Sequence, residues 1–202
     1  MLISEFVQCL ELSCPDTRHT SYLVPKLDID PEEVSIVLIS EASPENPADH
    51  YYAGANSLFE QTTILAFNEA GAKVSSMQDI LDLGVYLTTA VKCGKTGYGI
   101  ATETIYQCSY LLEKEIALFP NVKVYLLMGD VAIKAVNRIA KRSGEPRVIP
   151  AGSTYKIRGQ EYYFHGKRAL PSYLQAGPSF FIEKSKRKTI AEDIGTALKI
   201  AD

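Results

Sequence analysis

No run of apolar residues in this sequence of 202 is long enough to cross a membrane, and no basic-then-apolar leader opens it. The formal net charge is only −3, so no global excess of one sign advertises a partner, although a local patch can hide inside the sum. There is no internal repeat and no low-complexity segment, which excludes solenoids and arrays. A full phosphate-loop pattern is missing too. GKTGYG (94–99) has the glycine spacing that exposes backbone N–H groups but lacks the rest, and a flexible loop is the simpler reading. What remains is ordinary, with 46% hydrophobic and 22% charged residues. These features predict one cytoplasmic domain over residues 1–202, monomeric and without a membrane partner.

Cysteine is sparse but placed in two pairs. Four residues separate Cys9 from Cys14, and fourteen separate Cys93 from Cys108. Without a secretion signal, disulfides are not expected, and ligation of a metal or cluster becomes a serious alternative. Four thiolates suit zinc or an iron–sulfur cluster. The spacings fit neither a zinc ribbon nor the ferredoxin runs, so four unrelated buried thiols remain an equal reading.

Hydrophobic pattern supplies the architecture. Val34–Ser40 reads as a buried strand, followed by a polar loop carrying Glu41, then Tyr51, Tyr52 and Gly54, then a helix over Leu58–Ala70 capped by Gly71. A helix at Met77–Asp82 precedes a second strand in VYLTTAVKC (85–93). Thr102–Leu118 reads as a helix with Thr102 as its capping residue, Val122–Met128 as a strand covered on both faces, and Asp130–Ala140 as a helix. Thr154–Ile157 and Glu161–Phe164 alternate like a hairpin, RALPSYLQAGP (168–178) reads as a loop, and Lys184–Ile200 as a helix. EFVQCLEL (5–12) has a short helical pattern. Strands alternating with helices predict a three-layer α/β/α fold with a mainly parallel central sheet. In such sheets ligands bind where strand C-termini meet helix N-termini, which makes the loop holding Glu41 one wall of a pocket.

The order SEASPE (40–45), YYAG (51–54), TTAVKC (88–93), CSYLLEKEI (108–116), LMGDVAIKAV (127–136) and LPSYL (170–174) resembles the uracil-DNA glycosylase superfamily, in particular its iron–sulfur branch, over roughly Cys9 to Leu174. The resemblance implies that Cys9, Cys14, Cys93 and Cys108 ligate a structural [4Fe-4S] cluster, with zinc as the alternative, although the family spaces its first two cysteines more closely. It implies Glu41 as the catalytic carboxylate and Tyr52 as the aromatic that stacks on a flipped base. It also exposes two departures. The family's base-reading Asn falls on Thr89, which cannot make the paired contacts of an amide. The family's His, which stabilises negative charge on the departing base, falls on Leu170, which cannot do that work.

Cleavage of an N-glycosidic bond leaves negative charge on the base and positive character on the sugar, so loss of an anion-stabilising donor is serious. His165 lies five residues before Leu170 and His50 in the first loop, and both read more simply as non-catalytic, as does His19. The late loop resembles the one that wedges a side chain into the duplex, with Ser172, Tyr173 and Leu174 at its tip. Lys167 and Arg168, the run Lys184, Lys186, Arg187 and Lys188, and Lys92 and Lys95 beside the cysteines are candidate phosphate contacts. Acidic residues gather early, at Glu11, Asp28, Asp30, Glu32 and Glu33, so opposite faces are expected to differ in sign. The expected function is a divergent, uracil-type DNA glycosylase. The alternative is a catalytically impaired relative that binds nucleic acid or a nucleotide through the same pocket, with an enzyme of another N-glycosidic or nucleobase substrate as a third reading.

Overall fold

Five strands form the central sheet of the computed structural model, which describes residues 1–9, 14–54 and 56–202. They are β1 (Ile36–Ala42), β2 (Val85–Val91), β3 (Val124–Met128), β4 (Tyr162–Phe164) and β5 (Lys167–Ser172), in the order β2-β1-β3-β5-β4. β1, β2, β3 and β5 run parallel and β4 alone is antiparallel, paired with β5. Side chains alternate across each strand. Val37, Ile39, Tyr86, Tyr125 and Leu127 face one core, while Ile36, Leu38, Leu87, Leu126, Met128 and Leu170 face another. Helices α3 (Thr102–Ile116) and α4 (Asp130–Arg142) cover the first face, and α1 (Leu58–Glu69), α2 (Met77–Asp82) and α5 (Lys184–Ala201) the second. This is the three-layer arrangement expected from the pattern.

Several local expectations shift, each for a physical reason. β1 begins and ends two residues later than predicted, because Ser40 and Ala42 keep register with Thr89 and Val91 of β2. Glu41 is therefore on the strand's last turn of pleat, not beyond it. Thr102 is not the cap of α3. Ala101 occupies that position without a side-chain cap, and the Asp16 carboxylate accepts from the Ala101 N–H and the Thr104 hydroxyl instead. Thr154–Ile157 is one turn of helix, not a strand. The hairpin lies further on, where β4 and β5 are joined through His165 and Gly166, whose φ values of 49° and 72° suit a two-residue turn. While 173–178 is irregular as expected, the first part of the segment expected as a loop, through Ser172, is thus strand. Pro171 is tolerated there because β4 pairs only as far as Ala169, leaving that side of β5 without a ladder to break. The N-terminal helical pattern yields only a 3₁₀ turn at Ile3–Glu5, and its later part, including Glu11, lies outside the described residues. Among the described residues, no helix is long and apolar enough to cross a membrane.

Candidate active site

At the C-terminal edge of the parallel strands lies a cavity of about 590 Å³, bordered by Glu41, Ser43, Asp49, Phe59, Lys95 and Tyr98 and closed by residues 174 and 176–179. The two loops that shape it touch at Gly94, where a Cβ would stand 2.6 Å from the Pro44 carbonyl. Glu41 is held from below by Gly129, the residue before α4. A Cβ there would stand 2.6 Å from a Glu41 carboxylate oxygen, and φ is +101°, so glycine is required twice over. The carboxylate consequently packs against the N-terminal end of a thirteen-residue helix, where the exposed N–H groups favour negative charge.

Thr89 does not face this cavity. It is buried behind Ser43, with the two hydroxyl oxygens 3.3 Å apart, so Ser43 presents the polar group that Thr89 was expected to present. Lys92 is not a surface cation either. Both it and Glu115 are fully buried and ion-paired, with Tyr86 donating to Glu115 at 2.7 Å and Lys92 donating to the Thr89 carbonyl at 2.6 Å. The pairing answers the cost of an isolated buried charge. Leu170 is a core residue of β5 beneath the sheet edge.

The late motif divides by strand direction. Ser172 is buried at the cavity end of β5 and donates to Asp193 on α5 at 2.6 Å. Asp193 in turn pairs with Arg158 at 2.8 Å. Burial pushes the Asp193 carboxyl up despite the hydrogen bonds from Arg158 and Ser172. Leu174 lines the cavity and Tyr173 packs half-buried, with the Lys186 ammonium 5.3 Å from its ring centroid. Lys167 and Arg168 stand at the opposite end of the same strand, roughly 15 Å away at a strand's rise per residue. They do not share a surface with Ser172, Tyr173 and Leu174, and Arg168 instead lies over the Tyr163 ring at 5.3 Å. His165 is likewise at that far end, bonded to Glu145 at 2.6 Å. In the basic run, Arg187 pairs with Glu69 and Lys186 with Glu183, while Lys184 and Lys188 are exposed.

Tyr52 also departs from its expected place. It lies beside a separate cavity with His50, Tyr22 and Lys26, and its hydroxyl accepts the Leu87 N–H at 3.0 Å. Tyr51 is the buried partner of the pair. Its hydroxyl donates to Ser40 at 2.8 Å and accepts from Gln175 at 3.0 Å, beneath the cavity wall. Burial pushes the phenols of both tyrosines up. The rings that do border the Glu41 cavity are Tyr98, which is exposed, and Phe59, 5.1 Å from Tyr51. Pattern reasoning assigned Phe59 to the helix core, and only its place in the first turn after Ser57 hinted that it reaches the strand edge. Burial, then the Lys92 charge, push the His50 imidazole down to about 3, so it is neutral.

All four cysteines are free. Burial first, then the neighbouring Cys108, Cys9 and Cys14 sulfurs, push the Cys93 thiol up to about 12. Cys108 is pushed up to about 11, burial leading and Cys14 and Cys9 adding to it, while burial and Cys9 raise Cys14. Three separate segments thus bring four sulfurs into mutual electrostatic range, with the His19 imidazole 3.8 Å from Cys93. Among the described residues no three His, Cys, Asp or Glu side chains converge tightly enough for a single ion. Four thiolates are a donor set that both iron–sulfur clusters and zinc take.

A Type-5 uracil-DNA glycosylase of Thermus thermophilus is 36% identical over 97 residues, a match covering 47% of this chain and 41% of that protein. The profile of the uracil DNA glycosylase superfamily matches residues 27–192, from ahead of β1 into the first half of α5. The chain belongs to the uracil-DNA glycosylase superfamily.

Proposed function

We propose that this protein is a DNA glycosylase that hydrolyses the N-glycosidic bond of a deaminated base, uracil foremost, flipped out of DNA. The observation that carries the reading is the Glu41 carboxylate seated over Gly129, at the edge of a cavity large enough for a base and walled by the Phe59 ring. In this reading Phe59 receives the face of the base, the part first expected of Tyr52. Ser43 and the backbone of the 94–99 loop offer polar contacts to its edge. Glu41 orients the attacking water and stabilises positive character on the sugar. The departing base needs a donor where the family has His and this chain has Leu170. Lys95 is the one cation among the described residues lining the cavity, and its ammonium is our candidate for that role.

Cys9, Cys14, Cys93 and Cys108 would hold an iron–sulfur cluster. Bound there, the cluster acts as a cross-link between the N-terminal arm, the start of the 94–99 loop and α3. The chain itself adds the Asp16 contacts to Ala101 and Thr104, which tie the same arm to the same helix.

The test is base release from duplex and single-stranded DNA containing uracil, hypoxanthine or xanthine, with Glu41→Gln and Lys95→Met alongside. Release from uracil is expected, with a loss of ~10²–10³ in rate for either variant, the scale of losing one charge-stabilising group. The losses at Thr89 and Leu170 favour a second reading, a relative that binds nucleic acid without cleaving it. DNA binding with no release of any base selects that reading, and absence of both overturns the two together. The cluster is checked by the visible absorbance and about four irons of a [4Fe-4S] site.

A further inference from the structure

The exposed side of α4 is unlike the rest of this weakly acidic chain. Lys134, Arg138 and Lys141 recur at intervals of four and three, so they stack along one stripe of the helix. With Arg147 they line a groove of about 460 Å³ that reaches Thr102 and Ile105 at the start of α3. One carboxylate borders this groove, Glu145, and it is engaged by His165 at 2.6 Å. At the base of the stripe Asp130 takes Lys134 at 2.5 Å. The neighbouring Arg142 is removed from the stripe by its pair with Glu113, 2.6 Å away. Arg138, Lys141 and Arg147 therefore present guanidinium and ammonium groups to solvent without an acidic side chain answering them among the described residues. Tyr106 adds an aromatic edge, 6.0 Å from the Arg138 guanidinium.

The groove and the candidate active site are linked along the chain. Lys95–Tyr98 border the Glu41 cavity, and the same loop runs directly into Thr102, which borders the groove. Tyr98, at the loop's tip, is fully exposed. Gly129 supports Glu41 at one end of α4, and the cationic stripe begins one turn further along that helix. An extended anion lying along the exposed side of α4 would meet Lys134, Arg138 and Lys141 in succession. The recurring, evenly spaced negative charges of a phosphodiester backbone match such a row.

We propose that the Lys134, Arg138, Lys141 and Arg147 groove is a second DNA contact surface, holding backbone phosphates of the strand whose base occupies the Glu41 cavity. The proposal rests on the glycosylase reading for its choice of polyanion, and its test separates the two. Each phosphate neutralised by a side chain contributes about 0.9 to the slope of log affinity against log salt. The triple variant Lys134→Ala/Arg138→Ala/Lys141→Ala is expected to flatten that slope by roughly 2–3, so that raising salt about fourfold weakens the wild type roughly 10–40-fold more than the variant. Lys26→Ala/Lys73→Ala/Lys199→Ala removes the same charge from exposed lysines outside both the groove and the Glu41 cavity and is expected to leave the slope unchanged. The measurement is titration of a fluorescent uracil-containing duplex onto the full protein at several salt concentrations, with single-turnover base release recorded in parallel.

An unchanged slope in the α4 variant, with wild-type binding intact, overturns the surface and leaves the glycosylase reading untouched. Equal flattening by both triple variants also overturns it, because the effect is then global charge. A flattened slope in the α4 variant alone, with no base release by the wild type, supports the surface and removes the catalytic reading. A wild type that binds no DNA removes both.

Discussion

Replacing Glu115 with Gln strands the Lys92 ammonium in a site with no exposure to water. In the wild type the two charges face each other, and Glu115 also accepts from Tyr86 at 2.7 Å and from Thr88 at 2.9 Å. The amide keeps an acceptor for Tyr86 but supplies no counter-charge. Removing one member of a buried pair typically costs ~3–5 kcal/mol. For a domain of this size about 1 kcal/mol lowers the thermal midpoint by ~2–4 °C, so a fall of roughly 6–20 °C is expected. Lys92→Met should cost a similar amount, because it leaves the carboxylate as the unpaired charge. The double variant Lys92→Met/Glu115→Leu removes both charges and leaves Tyr86, Thr88 and the Thr89 carbonyl short of a partner, a cost of ~1 kcal/mol for each. It should therefore be more stable than either single variant, with a coupling energy of at least ~2 kcal/mol. Thermal unfolding followed by circular dichroism on all four proteins gives the cycle. Strictly additive losses, or a single variant within ~1 kcal/mol of wild type, would refute the claim that the two charges depend on each other.

Three further outcomes follow from the same geometry. Gly129→Ala places a methyl group on the Glu41 carboxylate and forces a positive φ on a residue with a Cβ, so it should destabilise by ~1–3 kcal/mol and reduce base release, read by melting and by a cleavage assay. His50 titrates near 3 in the fold against 6.5 when unfolded, so the unfolded chain takes up a proton first as pH falls. Stability should decline from about pH 6.5 to about pH 3, and His50→Phe should flatten a plot of melting midpoint against pH over that window. Cys93→Ser and Cys108→Ser should each abolish iron binding as measured by metal analysis and visible absorbance, and retention of full iron by both would remove them from the ligand set.

The layers of this fold were legible because strands buried on both faces, such as VYLLM, and amphipathic helices, such as DVAIKAVNRIAKR, carry periodicities that local sequence preserves. β5 was not, because its burial comes from neighbours far along the chain, and Pro171 makes the segment look like a turn until the short reach of β4 is known. The site divided in the same way. Glu41 followed from strand, loop and helix order. Tyr52, Thr89 and Leu170 were placed by resemblance, and none of them lines the Glu41 cavity; for Thr89 and Leu170, alternation along a strand decides which neighbour reaches the edge. Ser43 and Phe59 border the cavity instead, Ser43 without any local signal and Phe59 with only its place in the first turn after Ser57. Lys92 looked like a surface cation because the partner that buries it, Glu115, lies on another element 23 residues away.

The hydroxyl of Tyr52 has a consequence for how copies of this protein meet one another. β2 is the outer strand of the sheet, and an outer strand offers its unpaired N–H groups to any extended chain that drifts alongside. Tyr52 occupies the Leu87 N–H, so a side chain stands where an intruding strand would dock. The residue first expected to grip a base instead fills a hydrogen-bonding position on the sheet's rim.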